Sequence, residues 1–171
     1  MKKLLEAILY MDAVERAISQ WSQERPELDT EPMAVMGRLM RIVKYMETHV
    51  GKLHKQYGLK LGEFDVLATL RRSGEPYRLT PSGLLGSLML TSGAMTNRLD
   101  KLEKKGLIVR EHSKDDRRSV TVELTAQGLE LINTMLEPHL QLQHQLISAL
   151  SKTEITEFNQ ALKVLLKNYE A

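Results

Sequence analysis

The short polar side chains of residues 91–106 have the types and the spacing of a surface that contacts DNA. In this stretch, TSGAMTNRLDKLEKKG, Ser92, Thr96 and Asn97 carry groups that can hydrogen bond to base edges and to phosphates. The alternative interpretation is the solvated face of an ordinary short helix. The elements on either side of the stretch decide between these two interpretations.

Helical spacing divides residues 91–106 into two sides. Asn97 and Lys101 lie on one side together with Gly93, where the missing side chain allows a phosphate to approach the backbone. Lys101 and Lys105 add attraction to DNA that does not depend on base sequence. The opposite side is apolar and is expected to pack on the domain; it consists of Met95, Leu99 and Leu102.

A second basic feature is the segment KDDRRS, which places Arg117 and Arg118 at a predicted turn. An arginine that a neighbouring carboxylate holds in position can enter the narrow, electronegative minor groove. Asp116 precedes Arg118 by two residues and is placed to steady it. The alternative is a soluble turn with local ion pairs, and the position of the tip after residues 91–106 favours the DNA role.

Three short helices and a hairpin are predicted to position these residues. The first helix is LGEFDVLATLRRSG, the second is opened by Thr80 and Pro81, and the third is residues 91–106. After them, LIVREH and SVTVEL are rich in β-branched residues and predict two strands that flank the charged tip. This order is typical of a winged helix-turn-helix, in which the second helix of the tight pair enters the major groove.

Longer amphipathic helices are predicted on both sides of the winged helix-turn-helix. They cover residues 4–21, 32–57 and 126–150, the last of these interrupted or bent near Pro138, followed by a final helix. The final helix starts with a capping box of Ser151 and Glu154. Its apolar residues are expected to be buried; they are Ile155, Phe158, Leu162, Leu165, Leu166 and Tyr169.

The predicted fold is therefore mostly α-helical with a small β-hairpin wing. We assign residues 59–125 to the winged helix-turn-helix domain and residues 1–25 to an N-terminal extension helix. The long helices carry more apolar surface than a single chain of this size readily buries, which indicates a partner. Residues 30–58 and 126–171 are accordingly predicted to form a helical dimerisation region.

Composition narrows the possible classes of function. The 24 Lys and Arg residues nearly balance the 22 Asp and Glu residues, so the net charge of +2 does not by itself indicate nucleic acid. The absence of cysteine excludes disulfides, thiol nucleophiles and Cys-ligated zinc, and it fits a cytoplasmic protein. The opening segment, MKKLLEAILYMDAVERA, is too short and too charged to span a bilayer, so we expect no membrane contact.

No group of residues indicates an enzyme or a metal site. The hydroxyl and acidic residues form no recognisable Ser-His-Asp arrangement, and no Gly-rich phosphate loop is present. His49 and His54 are five residues apart, as are His139 and His144, so neither pair places two metal ligands on one side of a helix. We predict neither catalysis nor a cofactor.

The stretch SGAMTNRLDKLEKKGLIVREHSKDDRRSVTVELTAQG resembles the signature of the MarR family of bacterial transcription regulators. It covers the recognition helix, the first strand, the wing and the second strand, and the flanking helices match in order and length. The resemblance implies a homodimer that binds double-stranded DNA at a palindromic operator, with half-sites roughly 34–36 Å apart. It also implies repression as the usual mode of regulation.

Arg98 lies at the seam between the apolar side and the DNA-facing side of residues 91–106, where a guanidinium must meet an acid, an anion or water. Together with Trp21, Asp65 and Arg110 it resembles the effector site of the urate-responsive branch of the MarR family, which also carries an extra N-terminal helix. The resemblance implies that a purine anion such as urate binds these four residues and releases DNA. Because Arg98 is on the DNA-reading helix, a ligand that moves it would lower DNA affinity.

Several alternatives stay open at this point. Asp65 and Arg98 can form a purely structural ion pair, an arginine near DNA can simply bind a phosphate, and Trp21 can belong to the core. A phenolic or other aromatic acid is the nearest alternative effector, because its carboxylate can use the same arginines. A winged-helix module that binds proteins instead of DNA is the alternative from another class, and salt-dependent binding to a palindrome separates it from a DNA regulator.

Overall fold

A computed structural model of the chain describes residues 11–88, 95–112 and 120–170. Five of the predicted DNA-contacting residues lie outside the described residues; they are Ser92, Gly93, Asp116, Arg117 and Arg118. The chain divides into two compact units, residues 1–49 and residues 50–171. None of the described helices combines the length and the apolar character needed to cross a bilayer.

In the first unit, helix α1 (Ala13–Glu24) starts immediately after Asp12. The Asp12 carboxylate accepts hydrogen bonds from the backbone N–H groups of Val14 and Glu15, both at 2.8 Å. This arrangement is a standard N-terminal cap, in which a short acidic side chain satisfies N–H groups that have no acceptor inside the helix. The prediction of one helix across residues 4–21 is therefore wrong at Met11 and Asp12, which precede the start of α1; residues 4–10 lie outside the described residues.

Helix α2 (Glu31–Gln56) begins after the Pro-containing linker, as predicted, and passes from the first unit into the second. Within the first unit it packs against α1 at Gly37, where a Cβ atom would lie 3.1 Å from Cγ1 of Val14. Arg38 donates a hydrogen bond from Nε to the Asp12 carboxylate at 2.8 Å. A small residue on α2 therefore lets the two helices approach closely, and an ion pair joins them beside it.

The second unit contains the three predicted short helices. They are α3 (Leu61–Arg72), α4 (Pro81–Ser87) and α5 (Met95–Lys104). The hydroxyl of Thr80 caps α4 by accepting from the backbone N–H of Gly83 at 3.1 Å. After α5 the chain turns at Gly106, whose φ of 70° is in the left-handed region that glycine adopts readily.

Three antiparallel strands follow the order β1-β3-β2. Strands β2 (Ile108–His112) and β3 (Val120–Leu124) form the predicted hairpin, and Arg110 pairs with Val122 in its register. Strand β1 (Arg78–Leu79) adds to the other edge of β3 and was not predicted. It is only two residues long, so it has no alternating pattern that sequence analysis can detect.

The core of the second unit lies between α3, α5, the sheet and helix α6 (Ala126–Leu146). Its fully enclosed side chains are Val66, Leu67, Leu70, Leu84, Leu102, Ile108, Val122 and Ile132. Gly128 lets α6 approach the sheet, because a Cβ atom there would collide with the carbonyl oxygen of Leu107.

A fold that is mostly helical with a small sheet confirms the predicted class.

Two predictions about the C-terminal helices are corrected. Of the predicted interruption or bend near Pro138, the interruption is wrong, because helix α6 continues through this residue; a bend there stays a prediction. Helix α7 (Lys152–Lys167) has the predicted capping box, in which the N–H of Ser151 donates to the Glu154 carboxylate at 2.7 Å. Its apolar side is not buried: Phe158 is 43%, Leu166 51% and Tyr169 78% exposed, because no part of the described chain covers it.

Candidate nucleic-acid interface

Helix α5 has the two sides that its sequence predicts. Met95, Leu99 and Leu102 are 9%, 4% and 0% exposed and pack into the core. Asn97 and Lys101 are exposed, as is Thr96. The described part of the predicted recognition helix therefore presents short polar and basic groups to solvent while its other side anchors it. This arrangement is required of a helix that enters a DNA groove.

Lys105, which follows α5, fixes the end of this helix to the start of α3. Its ammonium group lies 2.7 Å from the Glu63 carboxylate and 2.8 Å from the carbonyl oxygen of Gly58. Glu63 is buried and also accepts a hydrogen bond from the backbone N–H of Lys60 at 2.9 Å. Lys105 was expected to attract DNA phosphates; the structure instead gives it a structural ion pair, because a buried carboxylate requires a partner.

Arg110 connects strand β2 to α5 through two carboxylates. One terminal nitrogen of its guanidinium lies 2.7 Å from Asp100, and Nε donates to Glu103 at 3.0 Å. The hydrogen bonds from Arg110 hold the pKa of the Glu103 carboxyl below its usual value, and the same bonds raise the pKa of Arg110. Arg110 therefore sets the position of the recognition helix against the sheet.

Arg98 leaves α5 on the side of α3 and passes over Gly62 in the first turn of that helix. A Cβ atom at Gly62 would lie 2.5 Å from Nε and 2.7 Å from Cζ of Arg98. Only glycine therefore leaves this path open. Asp65 is buried on α3, and both Asp65 and Arg98 have interaction partners.

A cavity of about 280 Å³ opens beside Arg98. Seven residues line it: Lys60, Leu61, Gly62, Glu63, Asn97, Arg98 and Lys101. The other predicted effector residues, Trp21, Asp65 and Arg110, are not among them. Trp21 lies on α1 in the first unit, while Asp65, Arg98 and Arg110 lie in the second. The four-residue effector site stays a prediction.

Sequence analysis missed a pair of histidines, of which His54 is buried and His139 is half-buried. Nε2 of His54, at the end of α2, lies 3.2 Å from Nδ1 of His139 on α6, and the ring of Phe64 stacks on His54 with centroids 4.2 Å apart. Burial, followed by the charge on His139, lowers the pKa of His54 to about 4; burial also lowers that of His139. The two residues are 85 apart in sequence, so helical spacing within either helix gave no sign of the pair.

The described residues contain no cluster of three or more His, Cys, Asp or Glu side chains that could hold a metal ion.

The sequence profile of the MarR family matches residues 59–120, which include the helix pair and the first strand. The transcriptional regulator PecS of Dickeya dadantii is 41% identical over 145 residues, which cover 85% of this chain and 87% of PecS. The chain belongs to the MarR family of transcriptional regulators. It is a DNA-binding regulator with a winged-helix fold, and its relatives are regulators and not enzymes.

Solved structures of this family share the fold. A mutant MarR of Escherichia coli complexed with operator DNA is 24% identical and has a TM-score of 0.68, with 85% of this chain and 97% of that chain covered. BpsR of Bordetella bronchiseptica, whose DNA binding is regulated by 6-hydroxynicotinic acid, is 21% identical with a TM-score of 0.68, and 77% of this chain and 91% of that chain are covered. MarR-type regulators therefore include members captured on DNA and members regulated by small aromatic ligands.

Proposed function

We propose that this MarR-type regulator is a dimeric repressor that binds a palindromic operator and is released by a small anionic aromatic ligand such as urate. The observation that carries the proposal is the division of α5 into a buried apolar side and an exposed polar side. Asn97 and Lys101 are free to reach DNA because Leu99 and Leu102 anchor the helix. A regulator of this kind acts on chromosomal DNA, and we place it in the cytoplasm.

In the operator complex, α5 and the residues before it read the major groove. Thr96 and Asn97 contact base edges or phosphates together with Ser92, while Gly93 allows close approach of the backbone. Lys101 contributes attraction to phosphates. The wing contributes Arg117 and Arg118, with Asp116 steadying the arginine that enters the minor groove.

Dimerisation explains the apolar surface that the chain leaves open. In the first unit the exposed large side chains on α2 are Met33, Val35, Met36, Met40, Ile42, Val43, Tyr45 and Met46. In the second unit α7 exposes Phe158, Val164, Leu165 and Leu166. Surfaces of this kind are typical of protein interfaces. We assign dimerisation to residues 30–58 and 126–171, DNA binding to residues 59–125, and a separate N-terminal extension to residues 1–25.

A twofold dimer would present two copies of α5 to half-sites roughly one helical turn apart, about 34–36 Å. This spacing is the geometric reason for expecting a palindromic operator. It also makes DNA binding depend on dimer formation, since each chain supplies one recognition helix.

The proposed effector residues are Trp21, Asp65, Arg98 and Arg110. Their assignment is supported by the resemblance to the urate-responsive branch and by the position of two of them at the recognition helix. Arg98 is part of the recognition helix, and Arg110 attaches that helix to β2 through Asp100 and Glu103. An anion that competes for either guanidinium changes how the helix is held, so it favours a conformation with lower DNA affinity.

A gel shift on the DNA upstream of the protein's own gene, with and without urate, tests this function. Urate is expected to weaken wild-type binding by about 5- to 150-fold, the usual range of allosteric coupling. Arg98→Ala and Trp21→Phe should respond far less, whereas the matched control Arg25→Ala, on an exposed residue paired with Glu27, should respond like the wild type. A calorimetric titration that shows no purine binding rules out the urate site, and 6-hydroxynicotinic acid then tests aromatic acids.

Arg118→Ala tests the wing separately. Loss of a minor-groove arginine should weaken operator binding broadly, and Arg25→Ala again serves as the control for loss of one arginine. An unchanged gel-shift affinity contradicts the proposed role of the wing.

A further inference from the structure

We propose that the cavity beside Arg98 binds a phosphate-type oxyanion, which the DNA backbone supplies when the protein is on its operator. The proposal rests on DNA binding by α5, and it adds a phosphate site that the recognition helix shares with the start of α3. It does not depend on which effector the protein recognises.

Two helices build the cavity. The first turn of α3, with the residue before it, supplies Lys60, Leu61, Gly62 and Glu63, and α5 supplies Asn97, Arg98 and Lys101. Lys105 fixes this junction by bonding to Glu63 and to the carbonyl oxygen of Gly58. The cavity therefore has walls that are held together by an ion pair whose carboxylate, that of Glu63, is buried.

The charge of the cavity is positive. Lys60 and Lys101 are exposed, and neither forms an ion pair with another residue of the described chain. The one carboxylate in the lining, that of Glu63, is already neutralised by Lys105 at 2.7 Å. Two exposed ammonium groups that line one cavity beside the Arg98 guanidinium give it a positive potential, which attracts an anion.

Gly62 adds backbone donors to this site. The first N–H groups of a helix have no acceptor within the helix, and the N–H groups of Leu61 and Gly62 occupy these positions in α3. Without a Cβ atom at Gly62, the Arg98 guanidinium passes directly beside this backbone, so an oxyanion in the cavity can meet the guanidinium and the N–H groups together. The lysines attract the oxyanion by their charge, and the backbone N–H groups orient it through hydrogen bonds.

The position of the cavity identifies DNA as the source of the oxyanion. Asn97 and Lys101 lie on the exposed side of α5, which faces the groove in the proposed complex, and both also line the cavity. A helix in the major groove is flanked by the phosphates of both strands, so a cationic cavity at its side meets the backbone. Such a contact fixes the orientation of the helix and carries no base specificity.

Lys60→Gln tests the proposal through the salt dependence of DNA binding. Binding to the operator and to a scrambled duplex of equal length is measured by fluorescence anisotropy between 50 and 200 mM salt. The variant should lose affinity by the same factor for both duplexes. The slope of log affinity against log salt should become shallower by about 0.9 per protomer, as expected for one lost phosphate contact. Lys163→Gln, an exposed lysine on α7, should keep the wild-type slope.

Gly62→Ala tests the geometry of the site independently of charge. The new Cβ atom must displace the end of the Arg98 side chain, which is flexible, so the melting temperature should hardly change while DNA affinity falls at least a few-fold. Gly51→Ala is the matched control, because a Cβ atom there meets nothing within 4 Å. A Gly62→Ala protein that melts normally and binds both duplexes like the wild type contradicts the site.

A titration with inorganic phosphate, followed by the NMR signal of the Gly62 amide, separates DNA phosphate from a free anion. If Lys60→Gln keeps wild-type DNA binding but loses a phosphate-induced shift that the wild type shows, the oxyanion site stands and its DNA source is wrong. If DNA binding and the amide signal are both unaffected, the proposal is overturned. A failure of urate to release DNA leaves these results unchanged, so the two proposals fail separately.

Discussion

Helices α5 and α7 are both amphipathic, but the apolar side of α5 is buried and that of α7 is exposed. The apolar residues of α5 are enclosed by the core of the second unit, whereas those of α7 face solvent in the single chain. The difference does not come from the sequence of either helix, since both carry three or more large apolar residues at helical spacing. It arises because other elements of the same chain cover the apolar side of α5, whereas no described part of the chain covers that of α7.

This contrast shows what an amphipathic pattern predicts and what it leaves open. The pattern indicates that one side of a helix requires apolar contact. It does not indicate whether the contact comes from the same chain or from a second copy. In this protein the first case holds for α5, whose buried side stabilises the fold, and we propose the second case for α7 as part of a dimer.

The largest effect should come from placing a charge on the exposed apolar side of α7. Leu166→Glu should convert the dimer into a chain of 19.5 kDa in sedimentation equilibrium, because a carboxylate cannot be buried in an apolar interface. Operator affinity should fall about 100-fold or more when the two recognition helices are no longer linked.

Gln160→Glu is the matched control, since it adds the same charge on the opposite side of α7 by helical spacing. It should remain dimeric. A Leu166→Glu protein that sediments and binds DNA like Gln160→Glu contradicts the assignment of α7 to the dimer.

Removing apolar volume from each helix distinguishes the two kinds of burial. Leu102→Ala, in the core, should lower the free energy of unfolding by about 2–5 kcal/mol. The difference in unfolding free energy between Leu102→Ala and the wild type should be the same at all protein concentrations. Leu166→Ala should act chiefly through the dimer, so its effect on the denaturation midpoint should diminish as protein concentration rises. If the denaturation midpoints of the two variants depend equally on protein concentration, the proposal that α7 is buried by a second chain is contradicted.

The buried His54 predicts that the core of the second unit weakens in acid. Because the pKa of His54 is lowered to about 4 in the folded state, the unfolded chain binds more protons between its ordinary pKa near 6.5 and pH 4. Stability is therefore highest above pH 6.5 and should fall by an amount on the order of 2–3 kcal/mol as pH drops toward 4. Urea denaturation at pH 7, 6 and 5 measures this decline.

His54→Gln should flatten the decline, whereas the exposed His49→Gln should leave it unchanged. A His54→Gln protein with the full wild-type pH dependence contradicts the role of His54.

The smallest effect is expected at the ion pairs between β2 and α5. Arg110→Gln should cost less than about 1 kcal/mol, since partly exposed ion pairs contribute little. The pKa of Glu103 should return toward its usual value in an NMR titration. Because the folded-state pKa is lowered, the stabilisation is present above the pKa of the unfolded chain and is lost as pH falls through the folded value. Arg25→Gln, the control, should leave the Glu103 titration unchanged.

Local patterns predicted the long and short helices and the two hairpin strands, but not the two-residue strand β1 or the start of α1 at Ala13. Distance along the chain explains the contacts that were missed. The spacing of Met95, Leu99 and Leu102 predicted the buried side of α5, and Val120, Val122 and Leu124 predicted strand β3. The pairing of His54 with His139 depends on two helices meeting, which no local pattern encodes. Arg110 was recognised as important from resemblance, but its bonds to Asp100 and Glu103 became visible only when the strand and helix were placed together.

The central claim is that the exposed side of α5 reads DNA, and Asn97→Ala tests it most directly. Binding to the operator and to a duplex with substituted half-sites is compared at one salt concentration, with the exposed Asn168→Ala as control. Loss of an amide that bonds a base edge should reduce the ratio of operator to substituted-duplex affinity by about 5- to 150-fold while binding to the substituted duplex hardly changes. An Asn97→Ala protein that distinguishes the two duplexes as well as the wild type does would contradict the claim.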